Sequence, residues 1–463
     1  MTEQLKLKLN DSKATRWGAL VIVAFTMMAA YYVNDVVAPL KTMLETDLAW
    51  SSTDFGFFTG GYSFLNVFFL MLIWGGLILD RFGIRFTGKL ATILMVGGTA
   101  LEYYAMTGLA GADATLFGIN EIFGYKTGVF VAFAGYSIFG VGAEVAGITV
   151  SKIIAKWFKG KELATAMGVQ VALARIGSQA GYAVAIPLAP AFGISTPVLL
   201  GLVLLLGGMI AFFIFAVMDK KLDKQMEAAA IAAGTEDEEE KFSFKDVKNI
   251  LVNPGFWLIA LLCVLFYSCV FPFQKFASEL MIIKYGINEN VAGTFAGLPA
   301  LGALILTPVF GGFIDKRGKS ASIMLLGSAM LICVHFIYAI PDINYWLVAI
   351  VLMIILGIAF SLVPSAMWPA VAKIFPVSQL GTAYALIFFI QNIGLWGIPT
   401  LIGWVLDAYC ISGKKPDGTN MYDYTVPMCI FTGIACLSLI VALLLKKADK
   451  KYGYKLEEPN IQK

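Results

Sequence analysis

About twelve apolar runs divide this chain, and one polar stretch parts them six from six. The runs fall near 17–43, 54–79, 87–108, 128–157, 162–189, 197–219, 254–284, 290–314, 320–340, 344–374, 380–408 and 424–446. Roughly 20 apolar residues let a helix cross a bilayer. The expected fold class is therefore an all-α membrane protein with twelve transmembrane helices. Composition agrees: only 14% of the 463 residues are charged and 59% are hydrophobic, where a soluble domain carries roughly 25% charge. Residues 1–15 are polar and the first run is too long for a signal-peptide core, so no cleavable signal is expected.

A short signature occurs twice, each time at the end of an apolar run. GGLILDRFGIR carries Gly76, Asp80, Arg81, Gly83 and Arg85; GGFIDKRGK carries Gly311, Asp315, Lys316, Gly318 and Lys319. The two aspartates lie 235 residues apart, about half the chain. A half-length repeat inside an apolar chain points to a transporter built from two similar halves.

Basic residues orient the spans. With both termini cytoplasmic, about 27 of the 34 Lys and Arg residues fall in inside segments; Lys41, Lys126, Lys284, Lys414 and Lys415 fall outside. That bias follows the positive-inside rule and puts both signature loops in the cytoplasm. The stretch 220–253, with its acidic run Glu236 to Glu240, reads as a flexible or surface-helical linker. Gly140, Gly147, Gly177, Gly181, Gly293 and Gly297 are expected to allow close helix contact. Pro39, Pro272, Pro364, Pro369 and Pro399 are expected to bend or break spans. The six cysteines show no metal spacing, and Cys410 is the one expected to be exposed.

Twelve spans, a polar central loop and Gly-x-x-x-Asp-Arg-x-Gly after the second and eighth spans resemble the major facilitator superfamily. The resemblance implies two six-helix bundles rocking about a midplane site. It sets them at residues 1–219 and 254–446, with a cytoplasmic linker at 220–253 and a cytoplasmic tail at 447–463. It implies a cavity lined by spans 1, 4, 7 and 10. It implies that Asp80 and Asp315 act as gate elements, Asp80 near the inner end of span 11, while Arg81 and Arg85 tie neighbouring helices. The plain alternative is that these loop charges only set topology. WFKGKEL (157–163), ARIGS (174–178), FPF (271–273), MWP (367–369), QLGTAY (379–384) and QNIG (391–394) resemble the lysosomal dipeptide-uniporter branch of that superfamily, as does YYVND (31–35). That likeness implies passive transport of dipeptides.

An ionisable side chain inside a membrane bundle is a functional candidate by default. Glu144 and Arg175 fall near the middle of spans 4 and 5. A dipeptide zwitterion needs a cation for its carboxylate and an anion for its ammonium. Arg175 offers a bidentate fork for the carboxylate, and Glu144 an anion for the amine. The rival is a structural ion pair between the two that never touches cargo. Asp35, beside Asn34, Tyr31 and Tyr32, is placed to bind the amine, to gate the outer side or to take a coupled proton, against an equal alternative as a structural partner for a nearby helix. Lys275 and Glu279 lie four apart on span 7, expected to pair on one face and close the outer vestibule. Tyr32, Tyr267, Trp368, Gln391 and Asn392 are further candidates for substrate contact, each against simple packing. Glu102 and His335 read as structural. Proton-coupled relatives often carry an arginine early in span 4; here Tyr136 takes that place, which suits a uniporter.

No Gly-Lys-Ser/Thr phosphate loop, metal cluster or nucleophile constellation is readable, so the chain is expected to be neither an enzyme nor a cofactor protein. The expected function is an alternating-access dipeptide uniporter. The alternatives are a proton-coupled symporter or antiporter of another small organic ion, and a transport-dead membrane receptor. The expected partners are a small-molecule substrate, dipeptides above all, and the lipid bilayer. No nucleic acid is expected, and the chain is expected to work as a monomer. The one glycosylation sequon, Asn10-Asp11-Ser12, lies on the predicted cytoplasmic side, and the N-terminal tail has no acidic dileucine signal. A prokaryotic cytoplasmic (inner) membrane is the expected location. Because the two signature copies differ in their basic residues, Asp80 is expected to matter more than Asp315.

Overall fold

Apolar backbone can cross hydrocarbon only with its polar groups bonded internally, and helices do this within one segment. The computed structural model describes residues 8–111, 114–158, 161–233, 244–415 and 417–459. In chain order the helices are α1 (Lys13–Val36), α2 (Lys41–Asp47), α3 (Ser52–Phe68), α4 (Met71–Thr107), α5 (Thr127–Trp157), α6 (Leu163–Phe192), α7 (Thr196–Ala233) and α8 (Phe244–Val252). There follow α9 (Pro254–Tyr285), α10 (Glu289–Ala296), α11 (Leu298–Arg317), α12 (Ser320–Ala339), α13 (Trp346–Ile374), α14 (Val377–Tyr409) and α15 (Thr425–Tyr452). Two small antiparallel hairpins, β1–β2 (Glu121–Ile122, Tyr125–Lys126) and β3–β4 (Ile411–Lys414, Asn420–Tyr422), cover loops.

Among the described residues, nine helices or joined helix pairs are long and apolar enough to cross a bilayer. The Arg175-bearing α6 adds a pass. The second pass is α3 with the part of α4 before Gly83, and the third is the remainder of α4, which completes twelve. Gly83 leaves the helical region at φ 75°. Its counterpart Gly318 caps α11 at φ 71°. Both last glycines of the repeated signature thus take a backbone conformation that strains any residue with a Cβ, which accounts for the glycine in each copy.

In the first half α1 packs on α6 and α7, and α5 on α3 and α4; in the second, α12 packs on α13 and α15, and α11 on α13. The halves touch where α3 meets α14 and where α6 meets α10 and α11. The α3–α14 contact is backbone to backbone. A Cβ on Gly56 would stand 2.4 Å from the Pro399 carbonyl oxygen, and one on Gly403 2.2 Å from that of Ser52.

Both ends of the described chain lie on one face, called here the terminal face. Lys161 between α5 and α6 donates to the Asn10 carbonyl at 2.7 Å, and Lys319 N–H donates to the Glu457 carbonyl at 3.2 Å. On that face the Arg16 guanidinium, hydrogen-bonded to Glu162 at 2.7 Å, holds its carboxyl below the usual range.

Among the described residues the sequence expectations meet mixed outcomes. Pro272, Pro364, Pro369 and Pro399 all sit inside continuous helices; only Pro39 falls at a break, in a short 3₁₀ turn after α1. A break without proline lies instead at Leu70, whose φ of 54° separates α3 from α4. Cys410 is buried, whereas Cys333, Cys429 and Cys436 are exposed on the apolar outer surface. In the polar stretch 220–253, expected to be a flexible or surface-helical linker, residues 220–233 and 244–252 are helical, in α7 and α8; the acidic run 236–240 lies outside the described residues.

Candidate functional site

Between the halves lies a cavity of about 1360 Å³. It reaches the terminal face at Asp80 and Gly381 and ends beneath Asn34 and Lys275. Spans 1, 4, 7 and 10 (α1, α5, α9 and α13) all contribute to its wall, with α3, α4, α6, α11 and α14.

Glu144 and Arg175 both line this cavity. A Cβ on Gly140 would stand 2.0 Å from the Tyr62 carbonyl oxygen, so the missing side chain lets α3 lie directly on α5. That approach brings the Tyr62 hydroxyl within 3.0 Å of Glu144 Oε1, to which it donates. The Arg175 guanidinium sits 4.8 Å from the ring centre of Phe360 on α13 and 5.5 Å from that of Tyr31 on α1. Among the described residues no ion pair joins Arg175 to Glu144 or to any other carboxylate. One cation and one anion with spare bonding capacity therefore face the same space. Tyr267, Trp368 and Gln391 also line it, Gln391 accepting from the Cys263 thiol at 3.3 Å.

Three candidates lie elsewhere. Asp35 is 5% exposed and off the cavity wall. Its carboxylate accepts from Lys275 Nζ at 3.1 Å, from Asn34 Nδ2 at 2.9 Å and from Ser178. Tyr32 is buried against α7, its hydroxyl donating to the Pro197 carbonyl at 3.2 Å, and the adjacent Tyr31 takes the cavity face. Asn392 is buried and donates to the Phe388 carbonyl at 2.9 Å. One residue along a helix is about 100° of rotation, enough to carry Tyr32 and Asn392 off the wall that Tyr31 and Gln391 line.

The expected Lys275–Glu279 pair does not form. Each residue finds a nearer partner on the other half: Lys275 bonds Asp35, and Glu279 accepts from Lys41 Nζ at 2.5 Å. Lys41 also bonds Glu45 at 2.5 Å, and Tyr424 donates to Glu279. These contacts form two ionic layers between the halves, on the face opposite the termini. Glu102 and His335 are fully buried, off the cavity wall.

The signature charges divide. Arg85 ties α4 to α7, at 2.5 Å from Asp223 and 3.4 Å from Asp219. Arg81 is exposed and rests on the ring of its neighbour Phe82, making no ion pair to another helix among the described residues. Asp80 pairs with Lys152 of α5 at 2.9 Å, within its own half and not with the end of α14. Asp315 lies in the electrostatic reach of Lys373. Tyr31, Tyr62, Phe271 and Phe360 also line the wall and were not named from the sequence as substrate contacts; as aromatics in apolar runs they look like ordinary packing. Only the neighbourhood of Tyr31 to Asn34 and Asp35 hinted at a polar role.

A model of the family described as Major Facilitator Superfamily matches residues 20–399 and 276–458. The lysosomal dipeptide transporter MFSD1 of Homo sapiens is 29% identical over 454 residues, 95% of this chain and 88% of that protein. The protein of the same name from Gallus gallus is 33% identical over 287 residues, 59% of this chain and 62% of its own. In fold the chain is similar to the nucleoside transporter NupG, with a TM-score of 0.68, 13% identity and 92% and 98% of the two chains covered. It is similar also to the peptide transporter POT in complex with sulfate, with a TM-score of 0.65, 14% identity and 95% and 96% covered.

Proposed function

Because the chain belongs to the major facilitator superfamily, we propose that it is an alternating-access uniporter of dipeptides. One observation carries the reading: Glu144 and Arg175 line one cavity between the halves and are not paired with each other. A zwitterion supplies what both lack. Its carboxylate takes the Arg175 fork, and its ammonium takes the Glu144 carboxylate that Tyr62 holds in place. Relatives named as dipeptide transporters support the cargo class.

The moving units are the bundles at 1–219 and 254–446. The terminal face is cytoplasmic, in line with its basic residues, and the membrane is the cytoplasmic membrane of a prokaryote. The cavity then opens inward, and the ionic layers at Lys275 and Lys41 close the outer side. Binding energy that neutralises Arg175 and Glu144 together lowers the cost of burying both charges when the inner side shuts.

Counterflow in proteoliposomes tests this. Unlabelled dipeptides should drive uptake of a labelled dipeptide; free amino acids and simple carboxylates should not. Exchange of carboxylates without dipeptides would sink the proposal. A proton-coupled cycle is the second reading, favoured by Glu102, which is buried with both carboxylate oxygens lacking a hydrogen-bond partner. Dipeptide uptake driven uphill by a pH gradient would select it over uniport.

A further inference from the structure

The two walls of the cavity have unlike chemistry. Its carboxylates, Glu144 and Asp80, both come from the first half, as does Arg175; no acidic residue of the second half lines it, among the described residues. Among the described residues the second half contributes one lining cation, Lys275, and that is committed to Asp35 and to the Asn34 carbonyl at 2.5 Å. What the second half offers instead is aromatic surface in two clusters along α13. In the first, Phe360 meets Phe271 at 5.3 Å and Tyr267 at 6.2 Å between ring centres. In the second, Trp368 stacks on Phe388 at 4.8 Å and meets Tyr384 at 5.7 Å. Eight residues separate Phe360 from Trp368, about 12 Å of helix rise.

We propose that this aromatic wall is the side-chain specificity site of the transporter, selecting dipeptides with aromatic, aliphatic or cationic side chains and rejecting acidic ones. The inference rests on the dipeptide reading above. Phe360 lies under the Arg175 guanidinium, so its cluster takes the side chain nearest the peptide carboxylate when that side chain is aromatic or aliphatic, and cationic side chains go to the Trp368 cluster. The Trp368 cluster, nearer the terminal face, takes the other. The physics is one of sign. An aromatic face carries a negative quadrupole that attracts cations and stacks with other rings. An acidic side chain entering this wall would lose water and find no free cation, since Arg175 holds the peptide's own carboxylate and Lys275 is engaged. An unpaired charge in such a place is strongly disfavoured.

The test is competition in the counterflow assay, using Phe-Ala, Lys-Ala and Glu-Ala, their reversed sequences, and Ala-Ala as reference. For the wild type, Glu-Ala and Ala-Glu should compete about tenfold less well than Lys-Ala and Phe-Ala, the effect of about one cation–π or stacking contact. Trp368→Leu should cut the preference for Phe-Ala over Ala-Ala about tenfold and spare the preference for Ala-Phe; Trp368→Phe should restore it. Phe360→Leu should do the reverse. A merely structural role for Trp368 would lower all peptides alike, and that result overturns the inference, as does equal competition by acidic and cationic peptides. Both leave dipeptide transport standing. Absence of competition by every dipeptide would instead refute the parent reading.

Discussion

Lys275 of the second half reaches Asp35 of the first, Nζ to Oδ1 at 3.1 Å, and the same ammonium bonds the Asn34 carbonyl at 2.5 Å. This pair roofs the cavity, and Lys41 between Glu45 and Glu279 forms a second layer beyond it. Removing one partner of a buried pair typically costs about 3–5 kcal/mol, because the other charge is left uncompensated. Lys275→Met should therefore weaken the state with this side closed. A cysteine at Thr59, which is buried and lines the cavity, should react faster with an impermeant maleimide added from the non-terminal side. Asp35→Asn combined with Lys275→Met should recover part of the protection. If the double variant labels faster than the single one, the pair does not hold the roof.

Arg175 rests on Tyr31 and Phe360 and, among the described residues, pairs with no carboxylate, so its loss should spare the fold and harm transport. Arg175→Lys keeps the charge but not the fork. It should lose about 1.5–3 kcal/mol of cargo binding, the strength of a charged hydrogen bond, with thermal stability nearly unchanged. A large drop in melting temperature with intact peptide affinity would assign Arg175 a structural role.

Leu70 sits in the left-handed region at φ 54°, ψ 33°, a conformation costing a non-glycine residue roughly 1–2 kcal/mol. The outer half of this span is locked on α14 at Gly56 and Gly403, while Gly76 and Gly381, both lining the cavity, have open space where a Cβ would go. The break at Leu70 thus reads as the hinge that lets the terminal-side half swing onto α14. Leu70→Gly relieves the strain here and disfavours a straight helix by about 1 kcal/mol. Spin-label distances across the terminal face should shift toward the open population; a shift toward the closed one contradicts the hinge.

The two signature copies differ in what covers them. A Cβ on Gly318 would stand 2.4 Å from the backbone of Glu458, and Ser320 N–H donates to the Leu456 carbonyl at 3.0 Å. The Glu457 carboxylate accepts from Ser322 N–H at 2.8 Å, and Tyr454 donates to Asn253 at the start of α9 at 2.9 Å. The tail straps the second loop, whereas among the described residues no atom lies within 4 Å of where a Cβ on Gly83 would stand. Truncation after Tyr452 should lower the melting temperature by several degrees, since a loss of about 1 kcal/mol already moves a large domain by roughly 2–4 °C. Asp80→Ala should reduce transport more than Asp315→Ala; equal losses would set the asymmetry aside.

The passes, the half-length repeat and the glycine of each signature loop were legible because each is a local demand: hydropathy over about 20 residues, or one backbone angle. Glu144 and Arg175 stood out because charge in hydrocarbon is costly. What stayed hidden depended on rotation and on partners. Tyr31 and Tyr32 are equivalent in the sequence, yet α1 is enclosed nearly all round, so no polar stripe marks its cavity face. Lys275 and Glu279 have ideal helical spacing, and that local rule lost to Asp35 and Lys41 from the other half, roughly 240 residues away. Of the aromatic wall only Tyr267 and Trp368 stood out, each beside other readable features; Phe271, Phe360, Tyr384 and Phe388 were hidden, since aromatic residues belong in any membrane helix.

The central claim is that Arg175 holds the carboxylate of the cargo and Glu144 its ammonium. Competition by end-blocked dipeptides tests it most directly. Ala-Ala amide should compete poorly with the wild type and lose nothing further in Arg175→Gln; N-acetyl-Ala-Ala should behave in the same way toward Glu144→Gln. If the amide loses as much affinity as free Ala-Ala does when Arg175 is replaced, the carboxylate is held elsewhere and the account fails.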